Sequence, residues 1–178
     1  MATQPRTQVS VEEYIDAYIL RGDPEPACEY VDGELIPKAL GTRKHGRVAM
    51  NLGYLILMHY EQQFRVSAEQ HVQNRPSRFR IPDVAVEERK PEEGRYPGTN
   101  DPVYLCVEIL SPPDTLEGLL SKCRSDYHPW GVPYCWVLDP EACRAWEYHA
   151  LDAEGREVRE KIAAGAITLQ LCDIFHDL

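Results

Sequence analysis

Two acidic residues stand where strands rarely carry them. The segment RIPDVAV (80–86) places Asp83 behind a proline in what otherwise reads as a buried strand, and VYLCVEILSP (103–112) sets Glu108 inside a continuous apolar run. Proline cannot donate to a sheet ladder and aspartate is depleted from strands, so the first segment needs a local compensation. The second has the pattern of a strand covered on both faces, which would bury Glu108. A buried carboxylate without a partner takes up a proton, binds a cation or enters a hydrogen-bond network. Three chemistries follow. The acids could pair with Arg78, Arg80 or Lys122. They could form an oxygen-ligand site of the kind Mg²⁺ takes, with one or two carboxylates and several waters. They could share a proton for acid/base work, which usually leaves more of a hydrolase signature than this chain shows.

The elements that must position these residues can be read along the chain. Ser10 and Glu13 form a capping-box pattern before a short helix over about 10–20. Asp32-Gly33 predicts a hairpin whose second strand starts at Glu34. From Arg43 to about Phe64 there is no proline, and His45, Val48, Leu52, Leu55 and His59 share one helical face. RVSAEQHVQ alternates, and RFRIPDVAVEE alternates again, which puts Phe79, Ile81, Asp83 and Ala85 on one side of a single strand. Residues 89–102, rich in Pro, Gly and charge, read as an exposed connection. A helix from about Asp114 to Tyr127 carries a stripe of Leu116, Leu119, Leu120, Cys123 and Tyr127. A hairpin turning at Asp139-Pro140 and a last strand pair, REVREKIA and AITLQLCDIF, complete an α/β (α+β) pattern around a mixed sheet.

The chain's 178 residues suit one domain, 1–178, with residues 1–9 loose before the first helix. Hydrophobic content of 43% with 27% charged residues is ordinary for a globular protein, and no apolar run reaches a membrane-spanning length. The N-terminal stretch lacks the apolar core of a secretory signal, so the expected compartment is the cytoplasm. Six cysteines without a CxxC pair read as free, mostly buried thiols. Three tryptophans, Trp130, Trp136 and Trp146, lie in or beside hairpin strands and are better explained by packing than by base stacking. A net charge of −10 argues against coating nucleic acid by bulk attraction. Residues 38–47 and 75–80 are nevertheless locally basic, which makes Arg43, Lys44, Arg78 and Arg80 the candidates for phosphate contacts.

Order along the chain then brings in a family. EYVDGELI, KHGRVAMNL, IPDVAV, VEILSP and GVPYCWVLDP occur in that order. Together they resemble the PD-(D/E)XK nuclease superfamily, and more narrowly the bacterial family of "putative restriction endonucleases", over about residues 29–175. The resemblance implies a restriction-endonuclease-like core with a mixed central sheet, flanking helices and added hairpins. It implies Mg²⁺ or Mn²⁺ held by Asp83 and Glu108, which polarises a scissile phosphate for in-line attack by water. It also assigns Glu34 as an upstream acid that orients a water or a second ion, and places His45 behind the metal-holding acids.

The superfamily's lysine two residues after the acid is absent, since that position is Leu110. Members of the bacterial family supply it from the following helix, which makes Lys122 the candidate. Lys122 precedes Tyr127 by five residues, where the family usually shows four. A regular helix would turn it about 120° away from the stripe, and a local bulge would return it to the cleft.

The resulting expectation is a divalent-metal-dependent endonuclease acting on DNA, without membrane partners. A homodimer is expected because cutting both strands takes two sites, and apolar hairpins are the only surface the sequence offers for it. The alternatives are a catalytically degenerate nuclease-fold interaction module and an unrelated Mg²⁺ hydrolase acting on small phosphoesters. Because removing one of two neighbouring acids relieves like-charge repulsion, metal-free Asp83→Asn is expected to be more stable than the native chain.

Overall fold

The computed structural model describes residues 8–22, 25–39, 41–91, 94–150 and 155–178. Residues 1–7 of the segment expected to be loose lie outside this set. Val9 is anchored, its N–H donating to the Gly33 carbonyl at 3.1 Å and its carbonyl accepting from the Tyr30 hydroxyl at 2.8 Å. The capping box forms as expected and starts α1 (Val11–Tyr14), which continues as a π-helical segment, Ile15–Arg21.

Next come the hairpin strands β1 (Cys28–Val31) and β2 (Glu34–Pro37). Asp32 and Gly33 turn between them with φ of 51° and 97°, the left-handed pair that a two-residue hairpin needs. The long helix α2 (Arg43–Tyr60) is capped by the Thr42 hydroxyl. It buries His45, Val48, Leu52, Leu55 and Ile56, while His59 is exposed. Strands β3 (Phe64–Ala68), β4 (Val72–Arg75), β5 (Arg78–Arg80) and β6 (Val84–Glu88) follow. The fully buried β7 (Leu105–Ile109) comes next.

The segment read as one strand from Arg78 to Glu88 is two. β5 belongs to a four-stranded sheet ordered β2-β1-β5-β4, and β6 to a six-stranded sheet. The chain changes sheets across Ile81-Pro82-Asp83, where proline can sit because no ladder bond is asked of it. Phe79 consequently packs with Tyr14 and Tyr30, whereas Ala85 belongs to a cluster on the larger sheet. The connection after β6 is only partly exposed, since Tyr96 packs edge-on against Phe79 with centroids 5.2 Å apart.

After β7 the chain forms α3 (Leu116–Lys122), a π-helical segment at Cys123–Tyr127, and the short α4 (His128–Trp130). It then enters β8 (Tyr134–Asp139), which runs parallel to β7. A parallel neighbour requires a crossover, and α3 to α4 is that crossover, laid across one face of the sheet. The larger sheet is completed by β9 (Arg144–His149) and β10 (Arg156–Val158) in the order β10-β9-β8-β7-β6-β3. The expected final pair is divided: β10 joins this sheet, β11 (Lys161–Ala164) and β12 (Ile167–Gln170) pair separately, and α5 (Leu171–Ile174) follows.

Alternation along β7 allots its side chains. Leu105, Val107 and Ile109 join the cluster with α2, and Cys106 joins Leu119, Cys123 and Tyr127 of the crossover. Glu108 is in phase with Cys106 and so faces the crossover. Trp136 and Trp130 are buried and donate to main-chain carbonyls, as a packing role requires. Cys28, Cys106, Cys123 and Cys135 are buried free thiols, and Cys143 and Cys172 are exposed ones. Among the described residues no helix is long and apolar enough to cross a membrane.

Candidate active site

A cleft of about 520 Å³ opens between the two sheets and the crossover, and Asp83, Glu108, Lys122, Lys38, Glu29 and Arg80 line it. Each arrives by a different local rule. Asp83 sits at the sheet change, freed from strand alternation by Pro82. Its Oδ2 accepts from the Ile109 N–H at 2.6 Å, which ties the start of β6 to the end of β7. Its Oδ1 lies 2.8 Å from Lys38 Nζ and 3.3 Å from His45 Nε2. Gly41 has no room for a side chain, because a Cβ there would stand 2.5 Å from the His45 ring, so the loop before α2 can close over the imidazole. His45 does not line the cleft and supports Asp83 from behind.

Glu108 is held from the crossover. Its Oε1 accepts from the Tyr127 hydroxyl and lies 3.0 Å from Lys122 Nζ, which also reaches Glu29 Oε1 at 2.7 Å. The π-helical segment follows Lys122 directly and contains Tyr127. The additional residue between the two is absorbed by a wide turn, so both side chains face Glu108 and Lys122 is turned inward, with a side chain only 14% exposed. The main-chain carbonyls of this turn find partners from β4, with Arg75 donating to Ser125 O at 2.8 Å and Asn74 to Asp126 O at 3.3 Å.

Glu29 and Lys38 are the residues sequence reasoning missed. Glu29 lies in β1 between Cys28 and Tyr30, which face the other way, and accepts from Ile81 N–H at 3.0 Å and from Arg80 at 2.6 Å. It is the same anomaly as Glu108, an acid among apolar neighbours in a strand, and that signal was available. Lys38 ends the hairpin and donates to the Ile81 carbonyl as well as to Asp83. Nothing in its local sequence distinguishes it.

The other expected residues are placed differently. Glu34 begins β2 on the far side of the turn, partly exposed, and does not line the cleft. The upstream acid that reaches the cleft is Glu29, because the hairpin's two-residue period points Glu29 inward across β5. Arg78 and Arg80 are engaged internally: Arg78 meets Asp126 at 2.7 Å and Asp32, and Arg80 meets Glu29 and Asp126. Contacts from either to a phosphate would break these pairs. Lys44 reaches Glu141 at 2.8 Å, and Arg43 is exposed at the start of α2.

The electrostatics divide the two central acids. Burial opposes ionisation of Asp83, but the His45 hydrogen bond and the Lys38 ammonium outweigh it and hold the carboxyl at about 2. Glu29 behaves alike: burial is overcome by Lys122 and Arg80, again to about 2. Glu108 moves the other way, because its burial, with Asp83 and Glu29 nearby, exceeds the help of Lys122 and Lys38 and raises it above the usual carboxylate range. Both lysines are buried, yet the surrounding carboxylates keep them protonated and raise them. Tyr127 is pushed well above an ordinary phenol by burial and by Glu108, so it remains a donor.

Among the described residues no three His, Cys, Asp or Glu side chains gather in metal-binding geometry. The donor chemistry nevertheless fits a hard cation. Lys38 Nζ already rests against a carboxylate oxygen of Asp83 and the Ile81 carbonyl, with Glu108 near enough to raise its pKa. Oxygen atoms here hold positive charge, and Mg²⁺ takes one or two carboxylates while keeping several waters.

The fold is restriction-endonuclease-like, and it presents an aspartate at a change of sheets beside a buried strand glutamate, with a lysine delivered by the crossover helix. The chain belongs to the Uma2 family, described as "Putative restriction endonuclease", whose model matches residues 11–178. The fold is shared with a crystal structure described as "a putative nuclease belonging to DUF820 from Anabaena variabilis ATCC 29413". The two are 21% identical, with a TM-score of 0.72 covering 94% of this chain and 97% of that one. No curated protein matches the chain.

Proposed function

We propose that the protein is a divalent-metal-dependent endonuclease that hydrolyses phosphodiester bonds of DNA. The observation that carries this reading is that Asp83, at the change of sheets just before β6, and Glu108, in β7, open onto one cleft together with the inward-turned Lys122. Asp83 and Glu108 would hold Mg²⁺ or Mn²⁺, which when bound polarises a phosphate and supplies the attacking water in a reactive form. The remaining work falls to the chain itself. The Ile109 N–H and His45 orient Asp83, and Tyr127 orients Glu108. Glu29 and Arg80 hold the far side of the Lys122 network, and the Lys122 ammonium stands where it can stabilise charge developing on the phosphate.

Cleavage of supercoiled plasmid with and without EDTA tests this, together with Mn²⁺ titration calorimetry on the native protein, Asp83→Ala and Glu108→Ala. The expected result is metal-dependent nicking, with cation binding lost in both variants. Nicking indifferent to EDTA, or binding that survives both substitutions, would overturn it. One observation favours a second reading, a degenerate interaction module: the lysines and acids of the cleft are already paired with one another. That reading predicts DNA binding without cleavage at any metal concentration.

A further inference from the structure

Helix α2 has a second surface that the cleft does not use. Opposite its buried face, Met50, Tyr54, Leu57 and Met58 are 72%, 61%, 41% and 51% exposed. At 100° per residue, Arg47, Met50, Tyr54, Leu57, Met58 and Glu61 fall within an arc of about 100°. Exposed apolar side chains scattered singly need no explanation, but a contiguous stripe rimmed by polar residues marks an interaction surface.

We propose that this stripe is the contact with a second copy of the chain, α2 packing antiparallel on its partner's α2 with the two-fold axis at Tyr54. In a two-fold contact residue i meets j and j meets i, so candidate partners must stand equally far from the axis. All of the stripe but Leu57 satisfies this; Leu57 has Asn51 at its mirror position, where the side chain donates to the Ile174 and His176 carbonyls. Met50 and Met58 lie four residues either side of Tyr54, and Arg47 and Glu61 lie seven residues either side. Each pair is chemically matched, thioether with thioether and guanidinium with carboxylate. The charge pattern selects the direction. The first turn of α2 holds Arg43 and Lys44 with no acid, and Glu61 stands at its C-cap. Parallel packing would set Arg47 beside Arg47 and Glu61 beside Glu61, whereas antiparallel packing opposes unlike charges and unlike helix ends. Arg47 also donates to the Asp177 carbonyl at 2.9 Å, which holds its side chain at the helix surface. The apolar β8–β9 hairpin, which the sequence offered for dimerisation, is buried within the larger sheet instead.

A single helix pair is small for a protein interface, so association is expected in the micromolar range. Sedimentation velocity between about 1 and 200 micromolar should show a monomer–dimer equilibrium for the native chain. Tyr54→Arg should abolish it with the thermal melt unchanged, since the position is on the surface. Arg47→Glu should weaken association about 10-fold or more, and Arg47→Glu combined with Glu61→Arg should restore it. With Cys143 and Cys172 replaced by serine, Tyr54→Cys should cross-link to itself under mild oxidation, because only a residue on the axis meets its own copy. A native chain that stays monomeric throughout, or a dimer indifferent to both Tyr54→Arg and the charge reversal, would overturn the proposal.

Discussion

Asp83 and Glu108 lie in the same cleft, yet the protein treats them oppositely. Asp83 is gripped by groups that favour its charged form: a main-chain N–H, an ammonium and an imidazole. Glu108 is set deeper in the sheet, shares Lys122 with Glu29, and carries a raised pKa. One acid is preorganised as an anion, and burial disfavours the charged form of the other. A cation entering the cleft would favour the charged form of both acids, and the change would be larger at Glu108, where burial opposes charge.

The largest effect that can test this contrast belongs to Lys122. Lys122→Met leaves Glu29 and Glu108 buried without their shared partner. A stability loss of about 3–5 kcal/mol is expected from breaking a buried pair, seen as a large fall in Tm. Turnover should fall roughly 100-fold or more, in the range for removing one electrostatic contact to the phosphate. Adding Glu29→Gln should recover part of the Tm and none of the turnover. If both recover, Lys122 acts through folding alone.

The second test separates the acids themselves in metal-free protein. Asp83 titrates at about 2 when folded against 3.8 ordinarily, so its stabilisation is present above pH 3.8 and is lost as pH falls through 2. Asp83→Asn should thus cost on the order of 2 kcal/mol at pH 7, with the gap to the native chain narrowing between pH 4 and pH 2. Glu108 has the opposite sign. Its raised pKa favours the folded state below its ordinary 4.5, and that contribution is lost as pH rises through the folded value. Glu108→Gln should therefore be neutral or stabilising at pH 7. Urea midpoints across pH would read both, and equal losses in the two variants would remove the contrast. Relief on removing an acid, expected from the sequence at Asp83, thus moves to Glu108, because Asp83 is compensated by Lys38 and His45 from elsewhere in the chain.

The smallest effect compares the two hairpin acids. Glu34→Gln should leave Tm within a few degrees and turnover within a few fold of native, whereas Glu29→Gln should depress both by loosening Lys122 and Arg80. A Glu34→Gln variant as impaired as Glu29→Gln would return the upstream acid to the position read from the sequence.

Much of this arrangement was legible residue by residue. The capping box, the Asp32-Gly33 turn, the α2 face and the buried β7 each follow from local spacing, and local spacing is what a linear text preserves. The conflict between Lys122 and Tyr127 was legible too, and the π-helical turn that absorbs it follows from two demands on one helix: a fixed apolar stripe and a shared acid. Glu29 was readable but passed over in favour of Glu34, because a two-residue period alone does not say which face of a hairpin is buried.

By itself the sequence determined that two carboxylates stand among apolar neighbours, one just behind a proline and one within a buried strand, and that a lysine and a tyrosine follow on one helix. These are properties of neighbours in the chain. The tertiary structure alone decided who compensates whom: Lys38 reaches Asp83 across 45 positions and Glu29 meets Lys122 across 93. It also turned Arg78 and Arg80 inward. The physical reason is that the free energy of a buried charge depends on its nearest opposite charge in space, and where sheets change partners that neighbour is supplied by a remote strand or helix.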